Sequence, residues 1–467
     1  MCEQKINGGK MGRRSLSGRF TSAQVIPLGF LGLIFIGAIL LMLPFATVPG
    51  EETSFLTALF TSTTCVSVTG LVVVPTFSHW TLFGKIVILL LIQLGGLGII
   101  AVSSIVILIL GRRFSLKGRL MIMDSFDLNT LDGLVRFMIS VLKGTFAVEI
   151  IGALLYMIRF IPEFGAAKGI FMSVFTSVSA FCNAGLDITW SDSMVSCASD
   201  PLVLTVTMLL IVTGGLGFIV WFDMASSAGA LVRRKGKDRG RISRLSEHSK
   251  LVLVLTFALI LSGAVFIFLL EKDNPATLGN MSTGDKILNS LFQSVTFRTA
   301  GFASVPQSGL TEASSLLGCI LMFTGGSPMG TAGGVKTVTV FVLLLTSLAY
   351  IRHGHDTVVF SRRFSEDLVR KAIAIFTVNL LFTLGFTILL TATNPVSLTD
   401  GLYETTSAVA TVGLSRDITS SLNGIGRIII IAAMYLGRIG PISIALFFTG
   451  KSRNRDVEPA KGNFFVG

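Results

Sequence analysis

Long apolar runs alternate with short ones along this chain. Residues 25–46, 86–110, 201–222, 251–270 and 372–391 hold few or no charges, and each reaches the roughly 20 residues a helix needs to cross a bilayer. Between such runs lie mildly apolar stretches of about 10–12 residues, too short to cross as helices. Three of them start at capping candidates: Thr53 or Ser54, Thr283 or Asp285, and Thr399 or Asp400. Each stretch ends in a glycine. The pattern predicts half-helices that enter from outside, turn at the glycine and leave again. Irregular backbone at membrane depth survives only where protein buries it or it lines a watery cavity.

The short stretches are copies of one unit. Segments beginning at Phe60, Phe175, Phe292 and Tyr403 align and run to Gly70, Gly185, Gly301 and Gly413, the third being one residue shorter. Equal spacing of internal copies signals a repeat architecture. The division is an arm at residues 1–20, repeat 1 at 21–119, repeat 2 at 120–245, repeat 3 at 246–364, repeat 4 at 365–450, and a tail at 451–467. The predicted fold class is an all-α integral membrane protein. Four span–pore helix–span repeats, eight spans in all, would surround a pseudo-fourfold pore.

The second spans share small-residue patches at Gly95, Gly96 and Gly98, at Gly214, Gly215 and Gly217, and at Gly437 and Gly440. Small residues let membrane helices pack closely. Repeat 3 differs, because residues 313–351 carry one charge, Lys336, and are too long for one ordinary span. At its middle stand Gly325, Gly326, Ser327, Pro328, Met329, Gly330, Thr331, Ala332, Gly333 and Gly334, a poor helix former. The span should break there, as a gate or as a packing kink.

Composition narrows the class. Charged residues are 14% of 467 and the mean hydropathy is +0.77, against about 25% charged in soluble domains. The net charge of +12 does not point to nucleic acid, because basic residues gather in the arm, in alternate loops and in the tail. The other loops carry Glu51, Asp187, Asp192, Asp273 and Asp400. That alternation is the positive-inside pattern and puts both termini in the cytoplasm. The five cysteines have no metal-ligand spacing, and Cys182 with Cys197 is the one disulfide candidate. Enzyme signatures fail. The four histidines lie at span ends or in loops, and Ala445 stands where a phosphate loop ending in Lys451 and Ser452 needs glycine.

The repeats suit cation conduction. Backbone carbonyls can replace a cation's water shell, and glycine lets the chain approach the ion closely. Half-helices would aim their partially negative C-terminal ends at the cavity. Arg298, three residues before Gly301, should turn away and hold its loop. Arg438 lies deep in the run 428–448, where a central arginine costs about 2.5–3.5 kcal/mol and must face protein or water. It would either obstruct the pore and pair with the broken segment, or cap carbonyls or pair with an acid such as Glu149. Lys143 and Glu149 read as packing partners of other helices.

Taken together, the glycine loops, the segment 325–336 and Gly437-Arg438-Ile439-Gly440-Pro441 resemble the Trk/Ktr/HKT potassium transporter superfamily, most closely its Ktr-type membrane subunit. The resemblance implies a fold like that of potassium channels. It implies a potassium filter made by Val68, Thr69, Gly70, Asn183, Ala184, Gly185, Thr299, Ala300, Gly301, Thr411, Val412 and Gly413. Residues 325–334 would be the gate and Arg438 the obstruction below the filter. It further implies a homodimer in the bacterial cytoplasmic membrane and a cytosolic nucleotide-binding regulatory ring (KtrA/TrkA-like) that alone binds nucleotide. Potassium is then the transported ion, and uptake is sodium-dependent in many members. Departures from the family pattern stand at Cys182, Ala410, Arg416 and Asp417. The alternative is an alternating-access secondary transporter for another cation.

Overall fold

The computed structural model describes residues 22–98, 134–233, 245–352, 357–360 and 362–440. The N-terminal arm, the tail, the basic groups at 112–119 and 234–244, and the distal parts of runs 86–110 and 428–448 lie outside them.

Among the described residues one helical order occurs four times. A leading helix (Ser22–Leu41, Leu134–Phe164, Glu247–Glu271, Glu366–Thr393) is followed by a short helix (Phe55–Ser67, Ala166–Cys182, Thr283–Thr296, Leu398–Val409) and a loop. A third helix (Leu82–Leu97, Pro201–Gly215, Glu312–Phe323, Gly424–Ile439) completes each unit. Three leading helices, from Arg136, Glu247 and Glu366 onward, are each long and apolar enough to cross a membrane.

Helix starts follow local chemistry. The short helices of repeats 1, 3 and 4 are capped by Ser54, Ser282 and Ser397, whose hydroxyls accept from the third backbone N–H inside the helix. For repeats 3 and 4 the cap therefore precedes the expected Thr283 and Thr399 by one and two residues. Repeat 2 starts at Gly165, with φ of 80° and no side-chain cap. The third helices are capped by Thr81, Asp200, Thr311 and Asn423.

Polarity runs inside out. Ile36, Ile39, Val254, Phe257, Leu381 and Ile388 are exposed on the leading helices, the surface that hydrocarbon tolerates. The short helices instead bury hydroxyls, with Ser62, Thr63, Thr64, Ser177, Ser179, Ser294 and Ser407 at 0% exposure. Their opening aromatics Phe60, Phe175, Phe292 and Tyr403 are equally buried.

The third helices do not continue as the apolar runs suggest. Run 201–222 breaks at Gly217 (φ 89°), and Pro201–Gly215 and Phe218–Ser227 are bent by 99°. Helices in repeats 1 and 4 stop at Gly98 (φ 84°) and Gly440 (φ 81°). In repeat 3 the helix Glu312–Phe323 gives way to residues 324–336 before Thr337–Ile351 begins. Hydropathy records composition, and the positive-φ glycines at 98, 217 and 440 that end three of these helices are invisible to it.

Candidate functional site

Each short helix delivers its C-terminus to a loop of the same unusual conformation. Val68, Asn183, Thr299 and Thr411, two residues before the glycines, have φ of 57°, 59°, 71° and 51°. Gly70, Gly185, Gly301 and Gly413 follow at 102°, 61°, 86° and 98°. Between them Thr69, Ala184, Ala300 and Val412 keep negative φ. Left-handed backbone in a β-branched residue costs about 1–3 kcal/mol, and such strain gathers at functional sites.

The loops close a ring in repeat order. A methyl group added to Gly70 would lie 2.5 Å from the carbonyl oxygen of Ala184, and one on Gly185 would lie 2.7 Å from that of Ala300. Methyl groups on Gly301 and Gly413 would run into the carbonyl oxygens of Val412 and Thr69. Every glycine therefore faces the carbonyl just before the next repeat's glycine, and the fourth faces the first. Above the ring opens a vestibule of about 450 Å³, lined by all four glycines and by Asp187, Asp192 and Asp417. Acidic walls concentrate cations.

Two columns of hydroxyls brace this ring. In the first, Thr64 Oγ1 accepts from Gly70 N at 2.9 Å and Ser407 Oγ from Gly413 N at 3.0 Å. Ser179 Oγ accepts from Leu186 N at 3.1 Å, and Thr296 Oγ1 donates to Phe302 O at 2.6 Å. In the second, Ser62, Ser177 and Ser294 donate to the carbonyls of Ile34, Glu149 and Ile260 on their leading helices at 2.7, 2.7 and 2.8 Å. Thr405 meets Thr387 Oγ1 at 2.6 Å. Gly37, Gly152 and Gly263 clear the space for the first three. Replacing Thr64 by valine leaves the Gly70 N–H buried and unpaired, a loss of about 1–3 kcal/mol. The purified variant should melt at lower temperature and discriminate less between rubidium and sodium; an unchanged ion preference would mean that Thr64 does not hold the ring.

Beneath the ring lies the irregular segment 324–336, fixed by backbone and side-chain hydrogen bonds together. Its two ends pair through Gly325 N to Val335 O and Thr337 N to Gly326 O, both 3.0 Å. Ser327 N and Thr331 N donate to Gly215 O and Gly214 O at 3.0 Å, and Phe218 N donates to Met329 O at 3.1 Å. The bend in repeat 2 thus cradles the segment. Gly333 N reaches Thr299 Oγ1 at 3.2 Å, and Asn183 Nδ2 reaches Thr331 Oγ1 at 3.3 Å. Arg438 donates to Thr331 O at 3.0 Å and to Gly95 O at 2.5 Å. Its guanidinium spans from repeat 4 to repeat 1 under the ring.

The remaining sequence candidates have clear positions. Arg298 is buried behind its loop and donates to Thr337 Oγ1 at 3.3 Å. Glu149 accepts from Gln93 Nε2 at 3.0 Å, so its partner is an amide rather than Arg438. Arg416 is held by Asp400 at 2.7 Å, by Leu310 O and by Ser315 Oγ, which straps the fourth loop to repeat 3. Cys182 and Cys197 are both buried and free. The first sits in the last turn of a short helix and the second beyond the vestibule, so the expected disulfide is absent. The small-residue patches pack closely: Gly95, Gly214 and Gly437 abut the carbonyls of Val66, Phe181 and Val409 in the last turns of the short helices.

Comparison with known proteins agrees with this architecture. A family model described as TrkH, cation transport protein, matches residues 22–455. The chain belongs to this TrkH family. It is 37% identical to the Ktr system potassium uptake protein B of Bacillus subtilis (strain 168), over 96% of this chain and 97% of that protein. It is 35% identical to the potassium/sodium uptake protein NtpJ of Enterococcus hirae, over 94% of this chain and 95% of that protein. The crystal structure of the potassium transporter TrkH from Vibrio parahaemolyticus superposes with a TM-score of 0.75 at 16% identity, covering 94% of this chain and 87% of that one. That likeness establishes the helical fold.

The bracing hydroxyls were not singled out from sequence. Their column (Thr64, Ser179, Thr296, Ser407) is readable in the fourfold alignment, where a hydroxyl persists in every copy. Their partners are not readable, because a serine in a short helix can equally bond its own preceding carbonyl.

Proposed function

We propose that this TrkH-family chain takes up potassium across a bacterial cytoplasmic membrane, its ion passing through the ring at Gly70, Gly185, Gly301 and Gly413. The carrying observation is the cyclic closure of four glycine–carbonyl contacts beneath an acidic vestibule. Carbonyls so arranged can replace a cation's water, and glycine in all four copies leaves no side chain to narrow the ring. The names of the relatives, potassium uptake proteins among them, favour the same ion.

Segment 324–336 acts as the gate and Arg438 holds it shut by bridging Thr331 to Gly95. Eight spans carry the four repeats with both termini cytoplasmic, and the working form is a homodimer with one path per protomer. A cytosolic ring of nucleotide-binding regulatory subunits drives the gate, and sodium supports uptake.

The test is rubidium and potassium uptake in a bacterium stripped of its own potassium systems, with a cognate regulatory subunit. The parent chain should rescue growth at low potassium and prefer potassium to sodium. Gly70→Ser, which places an extra side chain against Ala184 O, should lose that preference. A well-expressed parent that moves no potassium would overturn the reading.

A further inference from the structure

The four short helices share one equivalent position directly after their opening aromatic: Thr61, Thr176, Gln293 and Glu404. All four side chains are buried, at 5% exposure or less. In three copies this residue ties the helix to the limb of chain that leaves the glycine. Thr176 Oγ1 meets Thr189 Oγ1 at 3.4 Å, Gln293 Nε2 donates to Gln307 Oε1 at 2.6 Å, and Thr419 Oγ1 donates to Glu404 Oε1. A neutral side chain therefore suffices for the brace. Only repeat 4 puts an ionisable group there.

That carboxyl is completely buried, and its second oxygen, Oε2, has no hydrogen-bond partner. Among the described residues no cation bonds it. Arg416 is taken by Asp400 at 2.7 Å, and Arg427 by Leu422 O and Ser420 O. The neighbouring acids are engaged elsewhere: Asp417 accepts from Ser308 at 2.6 Å, and Glu312 of repeat 3 from Thr399 at 3.0 Å. Tyr403 and Cys319 also stand close, and both side-chain types are neutral at pH 7. The leading helix brings Thr387, which does not titrate. A buried carboxylate without a partner charge is costly, so the group carries a proton or answers to a cation.

Both are within reach. Thr419 Oγ1 lies 3.0 Å from Ser415 Oγ, and Ser415 lines the vestibule. Two hydroxyls thus connect the buried carboxyl to external water. Toward the ring, Ser407 stands about one helical turn from Glu404, and its hydroxyl holds Gly413 N at 3.0 Å. The carboxyl therefore lies behind the loop that closes the ring of carbonyls.

We propose that Glu404 is a proton-binding site of the external face, and that a proton there and a potassium ion in the ring weaken each other's binding. A cation at the ring favours the ionised carboxyl. The proton then passes to Thr419 Oγ1, that of Thr419 to Ser415 Oγ, and that of Ser415 to vestibule water, so each hydroxyl gains one proton and gives one. Linkage makes the effect reciprocal: external acid raises the potassium concentration that uptake requires. The inference rests on the four-glycine filter reading and adds a regulatory ligand to it.

The test is rubidium uptake by the full chain with its regulatory subunit. Acidifying the external medium to about pH 6, where exposed carboxylates stay ionised, should raise the parent's half-saturating rubidium concentration several-fold at an unchanged maximal rate. Glu404→Gln installs the group that repeat 3 already uses and should show the raised value at every pH. Asp187 calls for a parallel variant, because burial pushes its carboxyl on the vestibule wall up to about 7; Asp187→Asn should keep the pH dependence. A second readout needs no variant: purified chain in lightly buffered solution should release protons when potassium replaces choline.

Half-saturation indifferent to external pH in the parent, no proton release on adding potassium, or a pH dependence that survives in Glu404→Gln overturns the proton site and leaves the glycine filter intact. A parent without potassium-selective uptake overturns both. A lower maximal rate at unchanged half-saturation in Glu404→Gln identifies Glu404 as a structural brace only, and also overturns the proton site.

Discussion

Alanine at Gly413 should abolish potassium uptake while leaving the protein in the membrane. Two independent effects coincide there. The glycine has φ of 98°, where a side chain is strained by about 1–3 kcal/mol, and its added methyl would run into Thr69 O and lie 2.8 Å from Gly70 Cα. Those atoms are themselves part of the ring, so relief requires moving the first loop as well. Strain alone is worth roughly a tenfold loss, and displacement of the ring carbonyls adds to it. Uptake of radioactive rubidium, normalised to protein in the membrane, reads the effect. Half or more of the parent rate in the variant would mean that the ring, as arranged around Gly413, is not the ion's path. Gly385, where an added methyl meets nothing within 4 Å, is the matched control and should tolerate alanine.

Arg438→Ala should act in the opposite direction. Its hydrogen bonds to Thr331 O and Gly95 O are charge-assisted, each worth about 1.5–3 kcal/mol. Removing them frees segment 324–336 from the wall of repeat 1 and removes a positive charge from beneath the ring. Uptake should rise by about tenfold or more, with the largest increase in the absence of the proposed regulatory subunit. The measurement is rubidium uptake with and without that subunit. Lower uptake in the variant would mean that Arg438 supports the pore instead of blocking it. Lysine would retain the charge without the fork that reaches two carbonyls, so Arg438→Lys should fall between parent and alanine.

The parts of this molecule that sequence reveals are those set by repetition. Gly70, Gly185, Gly301 and Gly413 stand out because four copies align, and the structure brings the four together. Residues 325–334 stand out because nine small or helix-breaking residues, with Met329 among them, interrupt an apolar stretch. What escapes is set by contacts between distant parts. Nothing in the run 201–222 marks Gly217 as the point where the helix bends by 99°, since the bend exists to receive Ser327, Met329 and Thr331 from another repeat. Cys182 and Cys197 look alike on paper, yet one lies in the last turn of a short helix and the other beyond the vestibule. Capping hydroxyls were misplaced by one or two residues at Ser282 and Ser397, because several neighbouring side chains can all cap a helix. Glu149 looked available to Arg438, but Gln93 takes it across 56 residues of chain.

Among the described residues, only the third copy carries an irregular segment beneath the ring. A fourfold assembly of identical subunits repeats every feature by symmetry. Four copies of residues 324–336 would meet on the axis and compete for one volume; none at all would leave the path open. Joining the four quarters in a single polypeptide releases each from its neighbours' identity. One quarter then supplies the irregular segment, a second its bent cradle at Gly217, and a third the arginine that binds it, while the common glycines keep the circle closed. The fused chain is thus what lets a single segment, rooted in one quarter, lie beneath all four loops.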